Sequence, residues 1–142
     1  YKAELLTMYP NLPICIVEGE KAADYGLKNS RGFIFISWVG GANAVNYVDW
    51  SVLKNRHVIL IPDHDKEAKD DKGGLKPIKL RPGNKAMLDI ATHIQRIASK
   101  IEFVKIPEEY PHKWDIADKK WNQGDLKYWI NKHKQNYFKL KL

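Results

Sequence analysis

The chain has 142 residues, 44% hydrophobic and 29% charged, with a formal charge of +7. It is long enough for one domain that buries a core without staples, too short for two ordinary ones, and carries no signature of disorder. No apolar run approaches the roughly 18 residues of a membrane span. The first residues are not a signal peptide, and the lone Cys15 excludes a disulfide framework or a cysteine-based zinc ribbon. A reducing, cytoplasmic setting with no membrane partner is the expectation, and a start at Tyr1 without a Met reads as a piece of a longer polypeptide.

The charge is uneven. Residues 1–65 carry 6 basic and 7 acidic groups and residues 86–118 carry 4 and 6. Residues 66–85 carry 7 and 3, and 119–142 carry 7 and 1, so the excess is confined to two segments. A basic excess of this kind favours a polyanionic partner, nucleic acid above all.

In chain order, a lead-in at 1–12 precedes the apolar run Ile14–Val17, which reads as a strand covered on both faces. Glu20–Lys28 reads as a helix packing through Ala22, Ala23 and Leu27. Two further buried strands follow at Phe33–Ile36 and Val58–Ile61, with a short helix possible at Asn43–Tyr47. Lys66–Pro82, with Gly73-Gly74, Pro77 and Pro82 and no period, reads as a long loop, usually a functional feature in a compact domain. Asn84–Ser99 places Met87, Ile90, Ala91, Ile94, Ile97 and Ala98 at helical spacing. Ile101–Ile106 reads as a fourth strand nearer an edge, Asp115–Trp121 as a short helix, and Asp125–Lys134 as an amphipathic helix. Tyr137–Leu142 alternates, as a strand or linker does. Strands alternating with helices predict an α/β fold with about four mainly parallel strands, flanked by helices, and a helical carboxyl-terminal extension over 119–142.

Ligands of open α/β sheets bind beyond the carboxyl ends of the strands. Two aspartates spaced by one residue, Asp63 and Asp65, follow the third strand, and Glu18 follows the first. Clustered carboxylates repel unless a cation neutralises them, and hard oxygen ligands suit Mg²⁺ or Mn²⁺; the alternative is a turn in which Asp bonds backbone amides. Gly40-Gly41 before Asn43 can admit a phosphate to backbone amides or simply form a turn. Trp114, Trp121, Tyr128, Trp129, Tyr137 and Phe138 are interleaved with lysines, a pattern compatible with stacking on single-stranded bases, although Trp129 in register with Leu126 reads as packing.

The segments Val17-Glu18-Gly19-Glu20-Lys21-Ala22-Ala23-Asp24, Gly40-Gly41-Ala42-Asn43-Ala44 and Ile61-Pro62-Asp63-His64-Asp65, in this order, resemble the Toprim domain. The similarity spans roughly residues 4–120 and is strongest to the Toprim domains of phage and mobile-element DNA primases and primase–helicases. The resemblance implies a Rossmann-like Toprim fold and Mg²⁺-dependent nucleotidyl transfer in primer synthesis for DNA replication. Single-stranded DNA and nucleotides would be partners, with a helicase domain or subunit in the parent protein. Glu18 matches the family's catalytic acid, Asp63 and Asp65 its metal ligands, and Asp115 a further acidic position seen in primases. Lys21 and Lys85 are candidate phosphate contacts, with solvated surface as the alternative for each. The 66–82 insertion departs from the family pattern and leaves open whether Gly73 or Gly83 takes its glycine position; His64 is expected to face away from the metal. A metal-dependent nuclease of the Toprim/OLD type would use the same carboxylates, and a DNA-binding module retaining the fold would not use them at all.

Overall fold

The structure, a computed structural model, describes every residue apart from Val39, Lys120, Asn122, Gln123 and Lys141. Two lysines of the basic tail, Lys120 and Lys141, therefore lie outside the described residues.

Four runs of apolar residues form parallel strands: β1 (Ile14–Ile16), β2 (Ile34–Ile36), β3 (His57–Leu60) and β4 (Lys100–Val104). The sheet order is β2-β1-β3-β4-β5, with β5 (Lys134–Asn136) antiparallel on the edge. Ile14 pairs with Ile34 on one side and Val58 on the other, so β1 is bonded along both edges.

Side chains alternate between two cores. Ile14, Ile16, Ile34, Ile36, Val58 and Leu60 pack with Met87, Ile90 and Ile94 of α3 (Pro82–Ile94). Cys15, Val17, Phe35, Ile59 and Val104 pack on the opposite face, with Ala22 and Ala23 of α2 (Glu20–Asn29) and Leu126, Trp129 and Ile130 of α4 (Asp125–His133). This two-sided cover is why the strands read as unbroken apolar runs. Cys15 is plain core, and burial pushes its thiol pKa up. The lead-in forms α1 (Glu4–Met8). No helix among the described residues is long and apolar enough to cross a membrane.

Several expectations need correction. The strand count is five, because the polar segment Lys134–Asn136 pairs with β4 through the register Val104–Lys134. The Lys134 ammonium also donates to Glu102 at 2.9 Å. The extension over 119–142 is thus only partly helical, and Tyr137–Lys139 forms a 3₁₀ turn, not a strand. α3 begins at Pro82, whose missing N–H is harmless in a first turn, and stops at Ile94 instead of running to Ser99. Asp115–Trp121 shrinks to a 3₁₀ turn at Ile116–Asp118, and Asn43–Tyr47 lies in a 3₁₀ helix that starts at Ala42.

The stretch 66–82 contains more order than a structureless loop. Lys69 and Leu75 form an antiparallel bridge, and the Asp70 carboxylate accepts from the amides of Lys72 and Gly74, both at 2.9 Å. The base of this finger is stitched to one neighbouring segment. Glu67 N–H donates to His112 Nδ1 at 3.1 Å, and Arg81 Nη1 to Glu108 Oε1 at 2.7 Å.

α2 approaches the sheet at Gly26, where an added β-carbon would lie 2.4 Å from Phe35 Cδ2. Phe35 is fully buried and cannot yield. Gly26→Ala is expected to destabilise the fold by about 1–3 kcal/mol, the usual range for overpacking, read as a lower midpoint with an unchanged slope in urea unfolding.

Candidate metal centre

β1 continues through α2 to β2 on one side, whereas β3 lies on the other side of β1. Connections that depart in opposite directions open a crevice at the carboxyl ends of the two strands, the switch point where ligands of such sheets bind. Glu18 lies two residues beyond β1, and Asp63 and Asp65 lie three and five beyond β3. Glu18 Oε2 accepts from the Asp63 amide at 2.8 Å, and Asp65 Oδ2 from the Gly83 amide at 2.7 Å.

Gly83, in the first turn of α3, closes the third side. A β-carbon there would meet Asp63 O at 2.5 Å and both Glu18 Oε2 and Asp65 Oδ2 at 3.0 Å. Two carboxylate oxygens each 3.0 Å from one point are no more than about 6 Å apart. Gly73, by contrast, sits at the finger's tip with open space around it. Gly83 is therefore the glycine at the site.

The electrostatics follow from crowding and burial. Burial, then the charges of Glu18, Asp115 and Asp65, push the Asp63 carboxyl up to about 8. Burial also raises Glu18, opposed by the Asp63 amide; Asp65 and Asp115 push it further up. Asp115 is raised by burial, partly offset by the Ala117 amide, with Asp118 raising it and Lys21 lowering it. Asp115 thus belongs to the same charge cluster. Asp118 serves the backbone instead: its Oδ2 accepts from the Asp115 amide at 2.9 Å, and the two residues cap the turn that follows.

Among the described residues no three His, Cys, Asp or Glu side chains are closed around one point as a finished metal site. Three of the four carboxylates accept from backbone amides instead: Glu18 from Asp63, Asp65 from Gly83, and Asp115 from Ala117. The donor set nonetheless fits a hard divalent cation. It is all oxygen, and it has a surplus of negative charge that raises its proton affinity. Its two facing oxygens are separated only where a glycine leaves room.

The other candidate residues divide. Lys21 is exposed in the first turn of α2, and its charge acts on Asp115. Lys85 is tied to Asp89 on its own helix at 2.9 Å, an ordinary i,i+4 surface pair. Gly40 and Gly41 have φ of 99° and 70°, and Gly41 O accepts from Trp38 Nε1 at 2.6 Å, so the pair builds a turn. That turn and the exposed Asn43 leave the sheet from β2, the strand beside Glu18. His64 is buried, and Arg81 and Glu108 both act on its ring.

The stacking expectation is corrected for Trp114 and Trp121, whereas Trp129 packs as its register with Leu126 predicts. Trp114, Trp121 and Trp129 are buried, and Trp129 packs against the other two with ring centroids 5.3 and 5.7 Å apart. Trp121 Nε1 donates to Ile116 O and Trp129 Nε1 to Tyr110 Oη. Of the lysine-interleaved aromatics, Tyr128 and Phe138 are exposed. Arg81 escaped notice in the sequence, although Arg81-Pro82-Gly83 is a legible helix start. Its guanidinium, held by Glu108, fixes the residue two before Gly83.

Residues 2–64 match the model of a family described as a domain of unknown function (DUF6371). The match takes in Glu18 and Asp63 and ends one residue before Asp65. No curated protein and no solved structure matches the chain.

A carboxyl raised in the folded state binds a proton that the unfolded chain, with Asp near 3.9, has already released. Its contribution is complete below about pH 4 and is lost as pH rises through the folded value near 8. In a chelating buffer, stability should therefore fall between pH 5 and pH 8, with a slope of up to about 1.4 kcal/mol per pH unit from this group. Asp63→Asn should flatten most of that slope, as measured by urea unfolding across the range.

Proposed function

We propose that this chain is a Toprim-type catalytic domain performing Mg²⁺-dependent nucleotidyl transfer on nucleic acid, the chemistry of a DNA primase or primase–helicase. The observation that carries the reading is the convergence of Glu18, Asp63, Asp65 and Asp115 at the β1/β3 switch point, where burial, and then mutual repulsion, lift Asp63 to about 8. The sequence order of the Glu18 segment, the Gly40–Asn43 turn and the Asp63-x-Asp65 segment adds the family resemblance. A bound Mg²⁺ or Mn²⁺ would supply charge stabilisation at phosphate and a more acidic hydroxyl.

The chain's own residues have separable tasks. Glu18, Asp63 and Asp65 would hold the cation, with Asp115 adding charge beside it. The Asp63 and Gly83 amides fix one oxygen each of Glu18 and Asp65, so that little side-chain freedom remains to be lost on binding. Lys21 is placed to offset charge at the Asp115 side. The finger lysines Lys66, Lys69, Lys72, Lys76 and Lys79 follow Asp65 directly and would meet the phosphates of single-stranded DNA.

Because Asp63 keeps its proton near neutrality, cation binding must displace it. Titrating Mn²⁺ at pH 7 in buffers of different ionisation enthalpy should show about one proton released per ion, and none in Asp63→Asn. Asp63→Asn with Asp65→Asn, and separately Gly83→Ala, should weaken binding by at least about tenfold. Equal binding by all variants would refute the centre.

The reaction is tested with the full-length parent protein, single-stranded template, nucleotides and Mg²⁺. Short oligonucleotides are expected. Template shortening without synthesis would assign a nuclease, and neither product would leave a binding module.

A further inference from the structure

A second polar site lies at the other end of α2. Its last turn and the residues after it face the start of α4 across a cavity of about 500 Å³ lined by Lys28, Asn29, Ser30, Arg31, Gly124 and Lys127. Three of these six residues are cations and none is acidic. Lys28, Arg31 and Lys127 form no ion pair among the described residues. Lys127 Nζ stands 5.7 Å from the Phe33 ring centroid, a cation–π contact that holds the ammonium beside the Ser30–Phe33 turn. Asp125, the acid of the first turn of α4, is exposed and does not line the cavity.

Two further features belong to an anion site. Ser30 is 6% exposed, and its hydroxyl has no hydrogen-bond partner among the described residues. A buried hydroxyl without a partner carries a desolvation cost that a ligand oxygen would remove. α4, nine residues long, begins after Gly124, which has φ of 86° and nothing within 4 Å of an added β-carbon. Its first amides therefore have no capping side chain from that position and stand where an anion can approach. Like charges gathered on one concave surface repel, and an anion turns that repulsion into charge-assisted hydrogen bonding.

We propose that this cavity binds a phosphate group, from either a nucleic-acid backbone or a free nucleotide. Lys28, Arg31 and Lys127 would donate to its oxygens, together with the Ser30 hydroxyl and the opening amides of α4. The site is distinct from the carboxylate cluster. α2 has ten residues, so at 1.5 Å per residue the two ends lie about 15 Å apart. It does not depend on the metal-centred reading, and it adds Lys28 and Arg31 of the otherwise slightly acidic body to the basic surface.

The test uses the intact chain in a chelating buffer, which silences any metal site. Inorganic phosphate, a mononucleotide and a single-stranded oligothymidylate are each titrated while the Gly124 and Asp125 amide resonances are followed. Saturable shifts are expected. Shifts by all three probes assign a free-phosphate or nucleotide site, and shifts by the oligonucleotide alone assign a backbone contact. Ser30→Ala, which leaves net charge unchanged, should weaken binding by about threefold, as expected for one lost hydrogen bond. Joint replacement of Lys28, Arg31 and Lys127 by Gln should weaken oligonucleotide binding at least tenfold and make the log-affinity against log-salt slope shallower by about 0.7 or more. Replacing Lys54, Arg96 and Lys100 by Gln is the charge-matched control. Unmoved amide resonances, equal losses in the two triple variants, or no effect of Ser30→Ala would overturn the site.

Discussion

β1 is hydrogen-bonded along both edges and buried on both faces, and most of the molecule follows from that. A strand so enclosed admits no polar side chain along its length, so the first carboxylate that can follow it is the one just beyond it, Glu18. The same holds for β3, which is buried from Val58 through Ile61 before Asp63. Two apolar strands side by side, with connections leaving in opposite directions, therefore deliver their first acids to the same place. The crowding of charge is a product of the sheet's burial, not an accident of surface composition.

That crowding is tolerated because the backbone partly answers it. The Asp63 and Gly83 amides each donate to a carboxylate across the crevice, and the lack of a side chain at Gly83 lets α3 approach. What the amides leave unanswered appears as a proton held on Asp63. The helix start depends in turn on Arg81, anchored by Glu108. The geometry at Glu18 is thus set by contacts reaching from the end of β1 to the segment after β4.

The parts legible in the sequence were those dictated by burial. Three of the parallel strands announce themselves as unbroken apolar runs and the fourth as a partly alternating one, with Glu18, Asp63 and Asp65 as acids at the ends of the first and third. β5 was hidden because Lys134-Gln135-Asn136 is polar, and its pairing rests on the exposed edge of β4 and on Glu102. The tryptophans misled for the opposite reason. Lysines beside Trp114 and Trp121 suggest an exposed stacking surface, but Lys113 and Lys119 are exposed while the two indoles are buried. Gly83 was one of two candidates because its contacts span 18 and 65 residues of sequence, to Asp65 and Glu18, and no local pattern encodes them. The cavity beside Ser30 was illegible for the same reason, since it joins Lys28 and Arg31 to Lys127 from a segment read separately as a basic tail.

The finger between Lys66 and Pro82 is closed at its base, where Glu67 meets His112 and Arg81 meets Glu108, and again by the bridge between Lys69 and Leu75. Its tip is therefore uncoupled from the positions of Asp65 and Gly83. Lengthening a loop whose ends are already held adds only about 0.6 kcal/mol for each doubling. The turn at Asp71–Gly74 is thus a place where this chain can gain or lose residues, in natural variation or by grafting a peptide, without the change reaching the carboxylates a few residues away.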